Sequence, residues 1–565
     1  MKPGDRRRDV EASCDNVALE LAARARERPD DLAVAVARRR GGFDELTFSE
    51  LEARARGWIG VIERLGVVPG DHVVLMVPPS VDFFALTFAL LRSGAVLVLV
   101  DPGMGLRNLG RCLAEARPRA FFGVRKALLA RRLFGWVPEV ELVQRVSSAG
   151  PPAGGPPEGS ECEATGQAPG AATAERDRPA AILFTSGSTG PAKGALYTHG
   201  MFCAQVAALR SQWGIQPGER DLATFPLFAL FGPALGMAAV VPWMDASRPG
   251  RADPARLVEA LDTYRCTNLF ASPALVEKLG AYCVEQGRSL PTLRRALSAG
   301  APASLPSLQR FAAALDDAAE VHTPYGATES LPVATIGSRE LLDETRAETE
   351  KGAGVCVGRA LEGVELRIVP IEDGEVAPSV LEQPLPAGEI GEIVVSSAQT
   401  SPSYFGRPEA TRHHKLRDAA GRLWHRMGDV GWLDDQGRLW MCGRLTHRVR
   451  CEGGDLFTIP CEAIFNRHPD VRRTALVGVG PPDRARPVLC VEPRRRLGRG
   501  RRTALVGELL ELGAGDPRTR RIETVLFRRS FPVDVRHNAK IFREQLALWA
   551  ARRLGVDAGS GQGGG

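Results

Sequence analysis

Residues 184–194, with the sequence FTSGSTGPAKG, combine the groups that proteins use to bind phosphates. Glycines free backbone amides to surround an anion, hydroxyl groups donate hydrogen bonds to phosphate oxygens, and a lysine adds a compact positive charge. On these grounds we expect a polyphosphate to contact Thr185, Ser186, Gly187, Ser188, Thr189, Gly190 and Lys193. Taken alone, the stretch is also compatible with a surface turn rich in glycine and serine.

The spacing within this stretch differs from that of a Walker phosphate loop. A Walker loop has its lysine directly after a glycine and a hydroxyl residue directly after the lysine. Here Lys193 follows Ala192 and precedes Gly194, so transfer of a γ-phosphate is not supported. The apolar run AAILF before the stretch predicts a buried strand, which places the stretch at a carboxyl end, where α/β sheets bind ligands.

Lysine is rare in this chain, which makes each lysine informative. Only 7 of the 73 basic residues are lysine, and the others are arginine. Lysine is a mobile point charge and arginine a rigid fork, so the two are not interchangeable at a reaction centre. Two of the seven, Lys193 and Lys540, lie in motifs.

The composition is that of a globular protein, with 44% hydrophobic and 25% charged residues. A chain of 565 residues predicts two or more domains. The 11 cysteines form no C-x-x-C pair, which argues against disulfides or a zinc site and favours a reducing cytoplasm. The first sixteen residues lack the apolar core of a signal peptide, and the apolar region 73–100 predicts a buried helix and strand. We therefore expect a cytoplasmic protein without a transmembrane segment.

Nucleic acid is not an expected partner. The net charge of +6 is small for this length, and the densest basic run, 494–502, has no aromatic residues interleaved with it. Nucleic-acid-binding surfaces usually combine basic residues with a recognisable motif or stacking aromatics. The run is better interpreted as a solvated loop.

Strand-like apolar runs alternate with amphipathic helical segments, which predicts the α/β fold class with largely parallel sheets. Residues 180–185, 391–397 and 474–480 are predicted strands, and 256–264 and 306–316 are predicted helices. Between 147 and 173, 20 of 27 residues are Gly, Pro, Ala or Ser, which predicts a flexible insertion. The end of the chain, 556–565, is predicted to be disordered, and a domain boundary is expected near 443–444.

Further segments, in order, resemble motifs of the adenylate-forming (AMP-binding, ANL) superfamily, which includes acyl-CoA synthetases, luciferases and peptide-synthetase adenylation domains. They are LSAGAPA (297–303), PYGATES (324–330), GEIVVSS with SYFGRPEAT (391–411), HRMGDVGWLDDQGRLWMCGR (425–444) and PVDVRHNAKIFRE (532–544). The resemblance covers residues 20 to 550. It implies a large N-terminal AMP-binding domain of layered α/β sheets (1–443) and a small, mobile α+β C-terminal lid domain (444–555), as in acyl-CoA synthetases.

The resemblance also implies ATP and Mg²⁺ as cofactors. Tyr325, followed by Gly326, resembles the aromatic residue that stacks on adenine. Asp429 resembles the acid that binds the ribose hydroxyls, with Arg444 as its partner. The backbone segment that would cover the other face of adenine is Gly300, Ala301 and Pro302.

Four residues are implied in the chemistry of the phosphates. Thr328 would donate to the α-phosphate, and Glu329, with Thr185, would hold Mg²⁺. Lys540 resembles the mobile lysine that stabilises charge during adenylation, although Asn538 and Ala539 replace the usual Ser-Gly before it. A surface lysine is the alternative for Lys540.

The sequence departs from thiol-transferring relatives in three places. Many acyl-CoA synthetases have histidine where Ala229 stands in PLFAL. The hinge segment GRLTHRV has Thr446 and His447 in place of a charged pair, and the glycine motif 451–462 has one extra residue. All three positions belong to the region where a thiol acceptor would be placed.

These departures, together with VLVDPGMG (98–105) and GVCVGRALEG (354–363), resemble the OleC-type β-lactone synthetases of bacterial long-chain olefin biosynthesis. The resemblance implies adenylation of a long-chain 2-alkyl-3-hydroxy fatty acid, followed by attack of its own 3-hydroxyl to give a β-lactone and AMP. It further implies possible assembly with hydrolase-like and reductase enzymes. A fatty acyl-CoA ligase or fatty acyl-AMP ligase is the alternative.

Two further sequence features bear on lactone closure. His447 is the first candidate for a catalytic base that assists the 3-hydroxyl, with a structural hydrogen bond as the alternative. The apolar run 225–241 could form a wall for alkyl chains or could equally belong to the core.

Overall fold

The structure is a computed structural model that describes residues 15–152, 175–185, 192–225, 231–246, 248–533 and 541–556. Most of the predicted insertion at 147–173 and residues 557–565 of the predicted disordered tail lie outside these ranges. Both stay predictions, as does the predicted domain boundary.

The described strands form two large sheets and two small ones. In chain order they are β1 (Leu32–Ala37), β2 (Phe43–Thr47), β3 (His72–Met76), β4 (Val96–Val100), β5 (Ala120–Gly123), β6 (Leu142–Arg145), β7 (Pro179–Thr185), β8 (Lys193–Thr198), β9 (Arg220–Ala223), β10 (Ala238–Val241), β11 (Asn268–Ala271), β12 (Arg295–Ser298), β13 (Glu320–Ala327), β14 (Ser330–Gly337), β15 (Val355–Ala360), β16 (Glu365–Val369), β17 (Gly391–Ser396), β18 (Lys415–Arg417), β19 (Leu423–Leu433), β20 (Leu439–Arg444), β21 (Val449–Cys451), β22 (Gly454–Leu456), β23 (Val471–Val479), β24 (Arg486–Pro493) and β25 (Thr524–Phe527).

The described α-helices connect and cover these strands. They are α1 (Ala18–Glu27), α2 (Phe48–Arg64), α3 (Val81–Arg92), α4 (Leu106–Ala116), α5 (Arg125–Phe134), α6 (His199–Trp213), α7 (Phe231–Leu235), α8 (Pro254–Tyr264), α9 (Pro273–Gln286), α10 (Leu305–Ala312), α11 (Arg346–Glu350), α12 (Pro408–His414), α13 (Thr458–Asn466), α14 (Arg499–Ala514) and α15 (Arg543–Leu554). A π-helix spans Glu340–Thr345, and short 3₁₀ turns include Leu445–His447.

The first large sheet has six strands in the order β6-β5-β3-β4-β7-β8. All neighbours are parallel except β7 and β8, which are antiparallel. Helix α3 supplies much of the adjoining core. Its sequence is apolar on all sides, as expected of a fully buried helix, and the Ser80 hydroxyl caps it by accepting from the Phe83 amide. The predicted buried helix and strand within 73–100 are therefore confirmed as α3 and β4.

The second large sheet changes from parallel to antiparallel pairing at β13. From β1 through β10, β9, β11 and β12 to β13 the neighbours are parallel, and from β13 through β14, β15, β20, β19 and β17 to β16 they are antiparallel. The α/β fold class is confirmed. The prediction of largely parallel sheets holds for the strands before β13 in the two large sheets; from β13 to β20 the neighbours are antiparallel, and β24 and β25 form a further parallel pair.

The elements after Arg444 form their own small sheets. Strands β21 and β22 make a hairpin, and β23, β24 and β25 make a three-stranded sheet packed by α13, α14 and α15. Arg518 donates to the carbonyl oxygens of Lys351 and Gly352, and Arg448 and Arg450 both pair with Asp373. Polar contacts of arginine therefore join these elements to the preceding ones. In the part of the chain described here, no helix is long and apolar enough to cross a bilayer.

Helix α6 begins at His199, a buried histidine whose ring nitrogen Nδ1 has no hydrogen-bond partner among the described residues. Burial, reinforced by the charge of Arg178, lowers the pKa of His199 from 6.5 to about 4. The folded protein therefore holds this imidazole neutral at pH values where the unfolded chain protonates it. Stability contributed in this way is lost as the pH falls from 6.5 towards 4.

We expect His199→Gln to weaken the acid sensitivity of the fold. Between pH 7 and pH 5, the variant should lose about 2 kcal/mol less unfolding free energy than the parent, because glutamine takes up no proton in the unfolded state. Urea denaturation at both pH values measures the difference. An identical loss in the parent and the variant would contradict the assignment.

Candidate active site

A cavity of about 480 Å³ is lined by residues from both large sheets. The carboxyl ends of parallel strands contribute to its wall, as the position of ligand sites in α/β sheets leads one to expect. Contributing residues at these ends include Leu99, Leu183, Phe225, Phe270, Gly300 and Tyr325. The wall divides by chemistry into a polar end, a cationic end and an apolar remainder.

The polar end is formed by Tyr325 and Arg444, which line the cavity and hold the buried carboxylate of Asp429 behind them. Asp429 on β19 and Arg444 on β20 are direct partners across the antiparallel ladder, and the Nε of Arg444 lies 3.1 Å from Oδ1 of Asp429. The hydroxyl of Tyr325 on β13 donates to Oδ2 of Asp429 at 2.8 Å. Burial raises the pKa of Asp429, whereas Arg444 and the Tyr325 hydrogen bond oppose the rise. Three residues predicted for nucleotide binding thus meet at one point.

One oxygen of this carboxylate can accept a further hydrogen bond. Oδ1 of Asp429 is buried and accepts no hydrogen bond from the described residues, although Arg444 lies close to it. A buried acceptor without a donor is unfavourable unless a ligand supplies one. The arrangement can therefore receive a ligand hydroxyl.

Two glycines shape the wall beside this carboxylate. Gly300 has φ +94°, a conformation that favours glycine, and a Cβ on Gly326 would lie 2.9 Å from the carbonyl oxygen of Ser330. Gly300 and Gly326 both line the cavity, next to Tyr325. Ala301 and Pro302 follow Gly300 in the loop between β12 and α10.

Thr328 and Glu329 occupy the tight turn between β13 and β14, and both line the cavity. The hydroxyl of Tyr197 donates to the Thr328 carbonyl oxygen at 2.5 Å. The hydroxyl of Tyr404 donates to Oε1 of Glu329 at 2.7 Å. The two tyrosines therefore fix the turn that carries the predicted phosphate-binding and metal-binding residues.

Lys193 begins β8 and lies opposite Thr185, the last residue of β7. The predicted phosphate stretch thus connects two antiparallel strands, whereas a Walker loop connects a strand to a helix. Nζ of Lys193 lies 3.3 Å from Nε2 of His414, and burial lowers the pKa of Lys193. Lys193 marks the cationic end of the cavity wall, and His414 lies beside it as a neutral imidazole, because burial lowers its pKa to about 3.

Several predicted site residues lie outside the described ranges. They are Ser186, Gly187, Ser188, Thr189, Gly190 and Lys540, and the side chain of Thr185 is also outside them. The departure at Ala229 falls there as well.

His447 is separate from this cavity. It ends the 3₁₀ turn that follows β20, its Nε2 lies 3.1 Å from Oε1 of Glu544 on α15, and it lines a second cavity of about 260 Å³. Its neighbour Thr446 lines the first cavity. The contact with Glu544 is the structural hydrogen bond that the sequence left open as the alternative for His447. A catalytic role of His447 stays a prediction.

The apolar remainder of the wall comes from both helices and strands, several of which the motifs did not single out. Of the predicted run 225–241, Phe225 and Phe231 line the cavity, whereas β10 is buried core. Other apolar lining residues belong to α3, β4, β7, α6, β11, α9, β12, β14 and β19 and include Phe88, Leu91, Leu97, Phe202, Leu209, Trp213, Phe270 and Leu275. A long apolar ligand group can therefore lie beside the polar end.

Sequence reasoning missed four polar residues near the cationic end: Tyr197, Tyr404, His414 and Lys415. Tyr404 lies within the quoted segment SYFGRPEAT, and a lysine beside two histidines is conspicuous in a chain that prefers arginine. Both signals were present in the sequence, but neither indicates on its own that the residues converge.

Of the two candidate metal ligands, Glu329 and Thr185, Glu329 is the one whose side chain the structure describes. Over the described ranges, no three His, Cys, Asp or Glu side chains cluster as a metal-binding group. Mg²⁺ commonly binds one or two carboxylates together with substrate phosphates and water, so a single carboxylate is compatible with it.

Comparison with known proteins agrees with this geometry. The family model "AMP-binding enzyme" matches residues 21–405. The "Olefin beta-lactone synthetase" of Xanthomonas campestris pv. campestris is 46% identical over 550 residues, covering 95% of this chain and 98% of the relative. The protein of that name from Stenotrophomonas maltophilia is 44% identical, with the same coverage of both chains.

Solved structures agree on the fold. The amide bond synthetase McbA from Marinactinospora thermotolerans aligns with a TM-score of 0.74 at 24% identity, covering 94% of this chain and 99% of that one. At that identity the likeness concerns the fold alone. The family match spans more than half of the chain and is joined by two relatives above 40% identity, so the chain belongs to the AMP-binding enzyme family.

Proposed function

We propose that this protein is an ATP-dependent β-lactone synthetase. It adenylates a long-chain 2-alkyl-3-hydroxy fatty acid, whose 3-hydroxyl then closes a four-membered lactone with release of AMP. The observation that carries the proposal is the 44–46% identity, over 95% of the chain, to two proteins named olefin beta-lactone synthetase. The cavity supports it, because one wall joins a polar end to a long apolar surface.

In this proposal the polar end holds the nucleoside. Oδ1 of Asp429, which accepts no hydrogen bond from the described residues, accepts one from a ribose hydroxyl, and Arg444 opposes the rise in the pKa of the carboxylate that burial causes. Tyr325 packs its ring against adenine while its hydroxyl orients Asp429. Gly300, Ala301 and Pro302 supply backbone for the opposite face.

The cationic end and the turn at 328–329 hold the phosphates. Lys193 and the hydroxyl-rich stretch 185–189 bind the β- and γ-phosphates, and Thr328 donates to the α-phosphate. Glu329, with the hydroxyl of Thr185, would hold Mg²⁺, which neutralises phosphate charge when bound. Tyr404 fixes the Glu329 carboxylate by donating to it.

Adenylation needs an oriented carboxylate and a stabilised leaving group. A substrate carboxylate oxygen forms a bond to the α-phosphorus while the bond to the β-phosphate bridging oxygen breaks, releasing pyrophosphate. Negative charge builds on the phosphoryl oxygens, where a preorganised cation is most effective. Lys540 is the proposed mobile cation for this step, beside the fixed Lys193.

For lactone closure the 3-hydroxyl must lie close to the acyl carbonyl carbon, and no separate acceptor of the acyl group, such as a thiol, is needed. The 3-hydroxyl oxygen attacks the acyl carbonyl carbon, the bond to AMP breaks, and the hydroxyl proton passes to a base. The nucleophile is already tethered, so the apolar wall needs only to hold a near-attack geometry and keep water from the adenylate. Phe225, Phe231 and Phe202 are placed to do this.

The product of the reaction tests the proposal. The full-length protein is incubated with ATP, Mg²⁺ and a 2-alkyl-3-hydroxy acid, with and without coenzyme A, and products are identified by NMR. We expect β-lactone and AMP in equal amounts, unaffected by coenzyme A. The matched acid without the 3-hydroxyl should support ATP–pyrophosphate exchange but give no lactone. A thioester without lactone would favour an acyl-CoA ligase, and free acyl-AMP would favour an acyl-AMP ligase.

His447 remains the proposed base, and the same assay tests it. His447→Ala should slow lactone formation while leaving ATP–pyrophosphate exchange intact. His468 is a matched control because it also pairs with a glutamate, Glu508, at 2.9 Å and lies away from the cavity. Equal effects of the two substitutions would remove His447 from the chemistry.

Tyr325→Phe tests the nucleoside end separately. Without the hydrogen bond from Tyr325 the Asp429 carboxylate is less firmly oriented towards the ribose, so KM for ATP should rise about tenfold. KM for the acid should change little. Tyr264→Phe is the control, since Tyr264 also donates to a carboxylate, Glu45, at 2.5 Å but outside the cavity. An unchanged KM for ATP in Tyr325→Phe would contradict the assigned role of Asp429.

A further inference from the structure

Two of the seven lysines meet at one aromatic ring beside the cationic end of the cavity. Nζ of Lys193 lies 5.2 Å from the centroid of the Tyr404 ring, and Nζ of Lys415 lies 5.8 Å from it. Tyr404 and Lys193 line the cavity wall, and Lys415 lies behind them at the start of β18. The motifs assign a role to Lys193 but none to Lys415.

Lys415 is a buried cation without a hydrogen-bond partner among the described residues. The residue is 9% exposed, and the ring of Tyr404 is the contact described for its Nζ. Arg426, on the neighbouring strand β19 and 2% exposed, differs sharply. Arg426 donates to the Glu392 carboxylate and to three backbone carbonyl oxygens, as buried charges normally must. The isolation of Lys415 is therefore specific to its position.

The groups around Lys415 do little to stabilise its positive charge. Burial lowers its pKa to about 7, against the attraction of Glu329. His414 is kept neutral because burial lowers its pKa to about 3, and burial likewise lowers the pKa of His425. Among the described residues, Glu329 is the carboxylate that raises the pKa of both lysines, and its Oε1 already accepts from Tyr404.

We propose that Lys415 is the second cation of a pyrophosphate subsite, acting from behind Lys193 and Tyr404 on the pyrophosphate that leaves ATP. The inference rests on the proposed adenylation, because that reaction supplies the anion. An ammonium shielded from water acts through a low effective dielectric, so its attraction for a polyanion is strong at short range. Lys415 need not touch the anion; it sets the potential at the cavity wall.

The same isolation has a consequence for stability. An unpaired buried charge destabilises the ligand-free protein, and an anion bound nearby relieves that penalty. Removing the charge should therefore stabilise the free protein while weakening the binding of pyrophosphate. A residue with a purely structural role would not produce this combination.

The kinetic test compares Lys415→Met with Lys415→Arg in the full-length protein. Methionine keeps the length of the side chain and removes the charge. In ATP–pyrophosphate exchange, Lys415→Met should raise KM for pyrophosphate about tenfold, because the attraction of a water-shielded ammonium for the polyanion is lost, with KM for the acid unchanged. Lys415→Arg should retain part of the affinity. Lys351→Met is the control, because Lys351 is an exposed lysine paired with Glu348.

The thermal test measures the melting temperature with and without magnesium pyrophosphate, in the absence of ATP and acid. Lys415→Met should melt at a higher temperature than the parent when free, and should gain less on adding pyrophosphate. A lower melting temperature of the free variant with an unchanged pyrophosphate shift would overturn the proposal and make Lys415 structural.

An action of Lys415 on bound ATP and an action on pyrophosphate give different results in these tests. If KM for ATP rises in Lys415→Met while KM for pyrophosphate and the thermal shift stay unchanged, Lys415 acts only on bound ATP, and the assignment to pyrophosphate is overturned. Failure of lactone formation in the parent leaves this test unaffected, because exchange and the thermal shift report on pyrophosphate directly.

Discussion

The burial of one carboxylate, that of Asp429, is the constraint on which the site depends. A buried carboxylate must be paired and hydrogen-bonded, and its partners come from separate strands: Tyr325 from β13 and Arg444 from β20. The contacts of Tyr325 and Arg444 with Asp429 hold β13, the last parallel strand of the large sheet, to the antiparallel strands β19 and β20. The turn that carries Thr328 and Glu329 follows directly from β13, so its position depends on the same arrangement.

Around that point, the fold separates two kinds of environment. The carboxyl ends of parallel strands and the turn after β13 supply polar groups and backbone, whereas α3 and α6 supply apolar side chains to the same cavity. Each cation there differs in how it is compensated. Arg444 is paired with Asp429, Lys193 is in reach of His414, and Lys415 has no hydrogen-bond partner among the described residues. The least compensated cation therefore lies at the end where phosphates are proposed to bind.

Much of this could be predicted from sequence, for identifiable reasons. Tyr325, Asp429 and Arg444 lie in contiguous motifs whose residue types indicate their chemistry. The apolar pattern of α3 and β4 indicates a buried helix and a buried strand. Phe202 and Trp213 could not be assigned to the cavity, because a helix that faces a cavity has the same pattern as one that faces core. The convergence of Tyr404, His414 and Lys415 with Lys193 arises from tertiary packing of the segment around Tyr404 against β8, which no local pattern records. Likewise, the pairing of His447 with Glu544 joins residues 97 positions apart.

The division of the cavity wall has an evolutionary consequence. Helices α3 and α6, both before β9, supply much of its apolar surface, whereas Asp429, the turn at 328–329 and the glycine backbone come from β12 onward. Substitutions on α3 or α6 can therefore alter the length or branching of the accepted acid without disturbing the groups around Asp429. Relatives with this fold could diversify their acids while inheriting one activation chemistry, and a designer could graft a new acyl wall onto an unchanged nucleotide end.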